Sequence, residues 1–293
     1  MRRVFQFSIL CVAVGLMNGC TPDEVIPTED IPTAGVRFIH AVPDTGALDF
    51  RPVDIVENTT FYGIAFRSTG QAFYKNSRAG ARHFKIFLTP DQNLPAEQQQ
   101  AMAQTVVQDI NVTLEAGHRY TFILWGYSRA GSSPAMQLTI LDDNPGDPGS
   151  QVALRLVNAG AGLGAVDGFQ YARGTATGTS CPGGGTPAET ATWTGLAELT
   201  ASAYVQTAPG TKCYRVTPAG SGTTLFADAM ALAGAPPNTV TGHQALPGTT
   251  QAGSAVSGFV VPRSVLGSKA PQTLTTPTII FLWDRRPPNS EGF

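Results

Sequence analysis

Residues 36–50 read "VRFIHAVPDTGALDF", and how this stretch is read decides what kind of protein the chain is. His40, Asp44 and Asp49 fall close together, a His–carboxylate set of the kind that performs acid–base catalysis. The same residues also suit a strand that ends in a turn: in "PDTG", Pro43 presets φ and Asp44 caps the turn. A second stretch separates the two readings. Residues 154–167, "LRLVNAGAGLGAVD", align with 36–49 without a gap, setting Arg37 on Arg155, Ala41 on Ala159, Gly46 on Gly164 and Asp49 on Asp167. His40 meets Asn158 and Asp44 meets Gly162, so the would-be catalytic set does not persist. The stretch is therefore expected to open a repeated module. Asp49 and Asp167 are expected to act as hydrogen-bonders at a turn or strand end.

Further blocks pair in the same order. "YKNSRAGARHFKIFLTP" (74–90) matches "YVQTAPGTKCYRVTPAG" (204–220), with Tyr74 on Tyr204 and Gly80 on Gly210. "AGHRYTFILWG" matches "AGSAVSGFVVP", and the closing "SSPAMQLTILDDNP" matches "TTPTIIFLWDRRPP". Two homologous domains follow, 35–143 and 151–289, with a linker at 144–150 and a tail at 290–293. Each block reads as a strand. Phe84, Ile86 and Leu88 alternate with Lys85 and Phe87; Val106, Ile110, Val112 and Leu114 share one parity against Asp109, Asn111 and Thr113. "YTFILW" and "TIIFLW" are continuously apolar and are expected to be central in a sheet. Turn signals recur between the blocks, and "LPAEQQQAMAQ" (94–104) is either a short helix begun at Pro95 or a polar hairpin loop. The expected class is all-β, with two tandem antiparallel β-sandwiches.

The succession of "VRFIHAVPD", "Y…AG…", "AGHRYTFILWG" and "DDNP" is similar to the bacterial domain-of-unknown-function family 4397, secreted or lipid-anchored modules often found in tandem. The resemblance covers nearly all of the mature chain. The second copy departs from it: "VPD" becomes "GAG", and a Cys- and Gly-rich insertion appears around 178–190. The resemblance implies an immunoglobulin-like β fold and supplies no catalytic residues.

Composition agrees with a turn-rich β protein. The chain has 32 Gly and 22 Pro, 14% charged residues and 42% hydrophobic ones, enough to build cores. Arg2 and Arg3 precede the apolar run "VFQFSILCVAVGLMNG", which reads as a signal peptide over 1–19. It ends in "LMNGC", which resembles a bacterial lipoprotein processing site, with Gly19 before an acylated Cys20. Residues 20–34, with "TPDEVIPTEDIPTAG" after Cys20, read as a flexible tether. No Asp follows Cys20, and by the sorting pattern of Gram-negative bacteria the expected location is the cell envelope, anchored in the outer membrane on its periplasmic or surface face. The net charge of −2 carries no footprint for nucleic acid. Of four Cys, Cys181 and Cys213 remain for the folded domains, and in an oxidising compartment a disulfide is expected.

Catalytic patterns are missing: no G-x-S-x-G, no S-x-x-K and no H-E-x-x-H occur. No cofactor is expected. Asp142, Asp143 and Asp147, around the inter-domain turn, form a weak Ca²⁺ candidate set against the plainer reading of an acidic linker. Trp125, Tyr127, Trp193, Tyr204 and Trp283 are either core or a sugar- or protein-binding platform. The expected protein is a lipid-anchored envelope module with a non-catalytic binding, adhesion or scaffolding role. Its partners are the membrane through Cys20 and an envelope protein or polysaccharide. Carbohydrate capture by exposed aromatics is the alternative, and an envelope hydrolase the remaining one.

Overall fold

"YTFILW" is buried along both faces of its strand because a separate hydrophobic core lies on each side. The computed structural model describes residues 30–70, 73–174, 181, 190–221, 229–238 and 242–288. Within it, Thr33–Phe293 form one compact unit. The signal peptide, Cys20 and most of the expected tether lie outside the described residues, as does the 290–293 tail.

Among the described residues the N-terminal half has eight strands: β1 (Thr33–His40), β2 (Leu48–Pro52), β3 (Phe61–Ile64), β4 (Lys75–Arg78), β5 (Gly80–Leu88), β6 (Val106–Leu114), β7 (Arg119–Trp125) and β8 (Gln137–Asp142). They form two sheets, ordered β4-β1-β7-β8 and β3-β2-β5-β6. The C-terminal half has β9 (Val152–Asn158), β10 (Val166–Ala172), β11 (Trp193–Leu196), β12 (Thr200–Ala201), β13 (Val205–Thr207), β14 (Lys212–Pro218), β15 (Ala229–Met230), β16 (Ala255–Val261) and β17 (Thr278–Arg285). Its sheets are ordered β12-β9-β16-β17, with β13 also on β9, and β11-β10-β14-β15. Strand for strand the order is the same in both halves. Each half also has one parallel pair, β1 with β7 and β9 with β16, among otherwise antiparallel neighbours. Both halves carry a register shift at the same place, between β2 and β3 and between β10 and β11. The all-β class and the sandwich layering match the sequence reading.

Alternation along the strands builds three cores in a four-sheet stack. Val36, Phe38, Phe122 and Leu124 face the β2 sheet and meet Phe50, Phe84 and Ile86. Leu154, Leu156, Val256 and Val260 face the β10 sheet and meet Tyr214 and Val216. The other parity of the inner sheets, Ile39, Ala41, Ile123 and Trp125 against Val157, Ala159, Phe259 and Val261, forms a third core between the halves. The inner strands β1, β7, β9 and β16 are therefore nearly continuously buried.

Two expectations change. "TIIFLW" is the edge strand β17, equivalent to β8, while the central position belongs to "AVSGFVV" in β16. Val106 does not share the buried side with Ile110 and Leu114. A register shift sets Ile86 opposite Gln108 but Phe87 opposite Val106, so Val107 packs on the core and Val106 turns outward. Of the two alternatives for 94–104 the structure has the helix, α1 (Ala96–Gln104), directly after Pro95 and with no buried residue.

Cys181 and Cys213 are bridged, with Cα atoms 5.9 Å apart, as the Cys count led us to expect. The bond ties the insertion to β14, whose Cys213 is fully buried. Closing a loop of sequence separation 32 contributes about 3–4 kcal/mol in the chain-entropy model. Reduction is expected to lower the urea midpoint accordingly; an unchanged midpoint in dithiothreitol would contradict it.

Candidate functional site

Between the halves, the layer that is apolar at one end becomes charged at the other. Arg37 precedes Ile39 and Ala41 on the inter-half face of β1, and Arg155 precedes Val157 and Ala159 on that of β9. Period two aims both guanidinium groups into the interface, where they are essentially fully buried. Asp143, just past β8, and Asp284, in β17, are buried with them. The pairing is crossed. Arg37 Nη2 lies 2.6 Å from Asp284 Oδ1 and Arg155 Nη2 lies 2.5 Å from Asp143 Oδ1. The pairs within one half are looser, at 3.5 Å for Arg37–Asp143 and 3.8 Å for Arg155–Asp284.

Neutral donors and acceptors complete the set with the same twofold pattern. Arg37 Nε donates to Thr121 Oγ1 at 2.7 Å and Arg155 Nε to Ser257 Oγ at 2.8 Å. The Thr121 hydroxyl donates in turn to Asp143, and that of Ser257 to Asp284. Tyr74 Oη donates to Asp143 Oδ2 at 2.8 Å and Tyr204 Oη to Asp284 Oδ2 at 2.9 Å. Each ring also lies under a guanidinium, 4.5 Å for Arg37 over Tyr74 and 4.6 Å for Arg155 over Tyr204. Burial raises both phenols above their ordinary range, and the carboxylates add to it, so both remain donors. Burial works against the charge on Arg37 and Arg155, but Tyr74 and the two carboxylates beside Arg37, and the carboxylates and Tyr204 beside Arg155, outweigh it and hold both cations above their ordinary value. Two cations and two anions, each hydrogen-bonded, make a closed and neutral cluster.

His40 and Asn158 have one job. His40 Nε2 meets Gly46 O at 2.9 Å while Nδ1 accepts from Val42 N–H at 3.3 Å. Asn158 Nδ2 donates to Gly164 O at 2.9 Å while Oδ1 accepts from Gly160 N–H at 3.2 Å. Each side chain braces the turn after its strand, which fixes His40 as a neutral ring with its proton on Nε2. Burial lowers its pKa to about 4. Asp44 is elsewhere, capping Ser128 and Arg129 N–H.

Asp49 and Asp167 are also matched. Asp49 Oδ1 accepts from Gly63 N–H at 2.8 Å, and Asp167 Oδ1 from Gly195 N–H at 2.7 Å. Gly63 and Gly195 have φ near +61° and +58°, the left-handed bend that lets β3 and β11 turn an amide toward the carboxylate. Arg51 pairs with the second oxygen of Asp49, and Gly220 N–H binds that of Asp167. Gly80 and Gly210 both take positive φ at the entry to β5 and β14.

The three aspartates weighed for Ca²⁺ are engaged with different partners. Asp143 holds Arg155, Asp142 meets His118 at 2.8 Å, and Asp147 meets Arg285 at 3.2 Å. Among the described residues no group of three or more His, Cys, Asp or Glu is placed to hold a metal ion. The five aromatics are placed apart from one another. Trp125 and Trp193 are core, Tyr204 belongs to the charge cluster, Tyr127 reaches Ala161 O across the halves, and Trp283 stacks edge-on against Tyr74. What the outer face of the β2 sheet does expose is Tyr62, 67% accessible, with Arg51 lying 5.1 Å from its ring and 4.8 Å from that of Phe87. No sequence motif marked these three; only their outward parity on β3, β2 and β5 could have.

Residues 34–169 match the family model described as "Domain of unknown function (DUF4397)", in agreement, over that span, with the resemblance read from the sequence. No curated protein matches the chain. Among solved structures, the carbohydrate-binding module CBMbc (family CBM26) of Amy13K from Eubacterium rectale, in complex with maltoheptaose, aligns at 11% identity. The alignment covers 88% of this chain and 99% of that one, with a TM-score of 0.20, too low to carry an argument about fold or ligand.

Asp284→Ala leaves two buried cations facing one carboxylate and is expected to cost about 3–5 kcal/mol by denaturant titration. Arg129→Ala, at an exposed position, is expected to be near neutral. His40→Asn should fold, because Asn158 performs the same task. It should also remove a pH dependence. The unfolded His40 binds a proton near 6.5 and the folded one only near 4. Wild-type stability therefore falls, relative to the variant, as pH drops through that window, by about 3 kcal/mol in all. Parallel stability profiles for the two proteins would contradict this.

Proposed function

We propose that the protein is a lipid-anchored, non-catalytic module of the bacterial cell envelope that binds, adheres or scaffolds. The observation that carries this reading is the shared buried layer: crossed ion pairs and a common core fix the two sandwiches against each other. The outer faces of the β2 and β10 sheets are thus presented at a set spacing. The most catalytic-looking groups are engaged in holding backbone or one another, His40 at a turn and Asp49 and Asp167 at strand bends. The anchor is supported by the basic pair, apolar run and "LMNGC" at the N-terminus, and the outer membrane by Thr21 in place of Asp after Cys20.

Polysaccharide capture is the second reading. It is favoured by the exposed Tyr62 ring beside Arg51 and Phe87, an aromatic surface of the kind on which sugar rings stack.

A photo-crosslinker in place of Tyr62, used in the native envelope, tests both. A discrete protein adduct lost in Arg51→Ala supports scaffolding, and a polysaccharide adduct supports the second reading. No adduct from this position sinks both. Mass spectrometry of the mature N-terminus tests the anchor separately, and an unmodified Cys20 ends it.

A further inference from the structure

The halves lie side by side with like strand ends together. At one end Val265 N–H donates to Pro43 O at 2.8 Å, Tyr127 Oη to Ala161 O at 3.1 Å, and Arg67 reaches Pro262 O. The opposite end holds the starts of β1 and β9, at Thr33 and Val152. Two loops extend that end. Residues 53–60 leave β2 beside His83 and pass Arg78, whose N–H donates to Glu57 Oε2 at 3.1 Å and which pairs with Thr33. Residues 231–238 leave β15 beside Lys212, and residues 242–254 return beside Gln151. The equivalent connection in the N-terminal half is only the short turn Glu115–His118 between β6 and β7.

These loops expose aliphatic side chains. Val53 is 42% accessible, Val56 104%, Leu232 36% and Leu246 53%. Among the described residues Leu266 and Val106 are the large aliphatic side chains exposed toward the other end, and Tyr62 and Phe73 are exposed aromatic ones on neither loop. Thr33 is also where the N-terminal segment enters the fold. Residues 21–32 extend at most about 40 Å, and a lipid on Cys20 would attach the fold by this end. Isolated aliphatic tips on separate loops form no groove for a protein. A lipid surface takes them without shape complementarity, since each tip gains by burying its methyl groups among the acyl chains.

We propose that this end of the double sandwich rests on the phospholipid surface, with Val56 and its neighbours dipping into the interface. The proposal rests on the lipid-anchor reading, and the test separates the two. Chains starting at Cys20, with Cys181–Cys213 oxidised, are coupled through the Cys20 thiol to maleimide-lipid vesicles of phosphatidylethanolamine and phosphatidylglycerol carrying brominated acyl chains. Val56→Trp is expected to lose fluorescence to the bromolipid beyond the wild-type background, and Leu266→Trp is not. Val53→Trp repeats the measurement should the first variant fold poorly. Quenching equal at positions 56 and 266, or at neither, overturns the contact, whatever the native state of Cys20. Mass spectrometry of that residue in the native protein judges the anchor alone.

Discussion

Everything in the architecture turns on burying Arg37 and Arg155 in one dry layer. A guanidinium that loses its water without a partner costs several kcal/mol, so the four-sheet stack can form only if both carboxylates arrive at once. The crossed geometry enforces this. Asp284 comes from the last strand and satisfies the first; Asp143 follows β8 and satisfies β9. The strongest contacts of each half are thus supplied by the other. Removing one residue leaves a charge stranded in the opposite half, which makes the interface all-or-none and specifies its register.

The sequence made the strands and their repetition legible but not the stack. Arg37 and Arg155 stood out as matching positions, yet nothing in an alignment says that two such residues face each other. The information was present in a form easy to pass over. On all four inner strands one parity runs polar, apolar, apolar: Arg37-Ile39-Ala41, Thr121-Ile123-Trp125, Arg155-Val157-Ala159 and Ser257-Phe259-Val261. The other parity is already apolar enough for an ordinary sandwich core. A strand with both faces apolar needs two cores, and two such sheets in one chain can supply the second core to each other. "TIIFLW" misled for a related reason: β17 is an edge strand, but one side packs on the core of its own half and the other on the core between the halves. Val106 was misplaced because a bulge inverts parity and leaves no mark in composition.

His40 shows how a substitution between copies reveals a role. An imidazole and a carboxamide share little chemistry except a donor and an acceptor held at similar reach. Their exchange at an otherwise matched position identifies the retained property as that pair of hydrogen bonds. The corresponding logic for Asp49 and Asp167 keeps the carboxylate, because both of its oxygens are engaged and an amide would turn one acceptor into a donor.

The crossed ion pairs are self-complementary, the pattern expected of two identical subunits related by a twofold axis. Carried on separate chains, such a contact would come apart on dilution. Carried on one chain, with residues 144–150 as the connection, its formation is first order and independent of copy number. A sparsely expressed molecule is then assembled as fully as an abundant one.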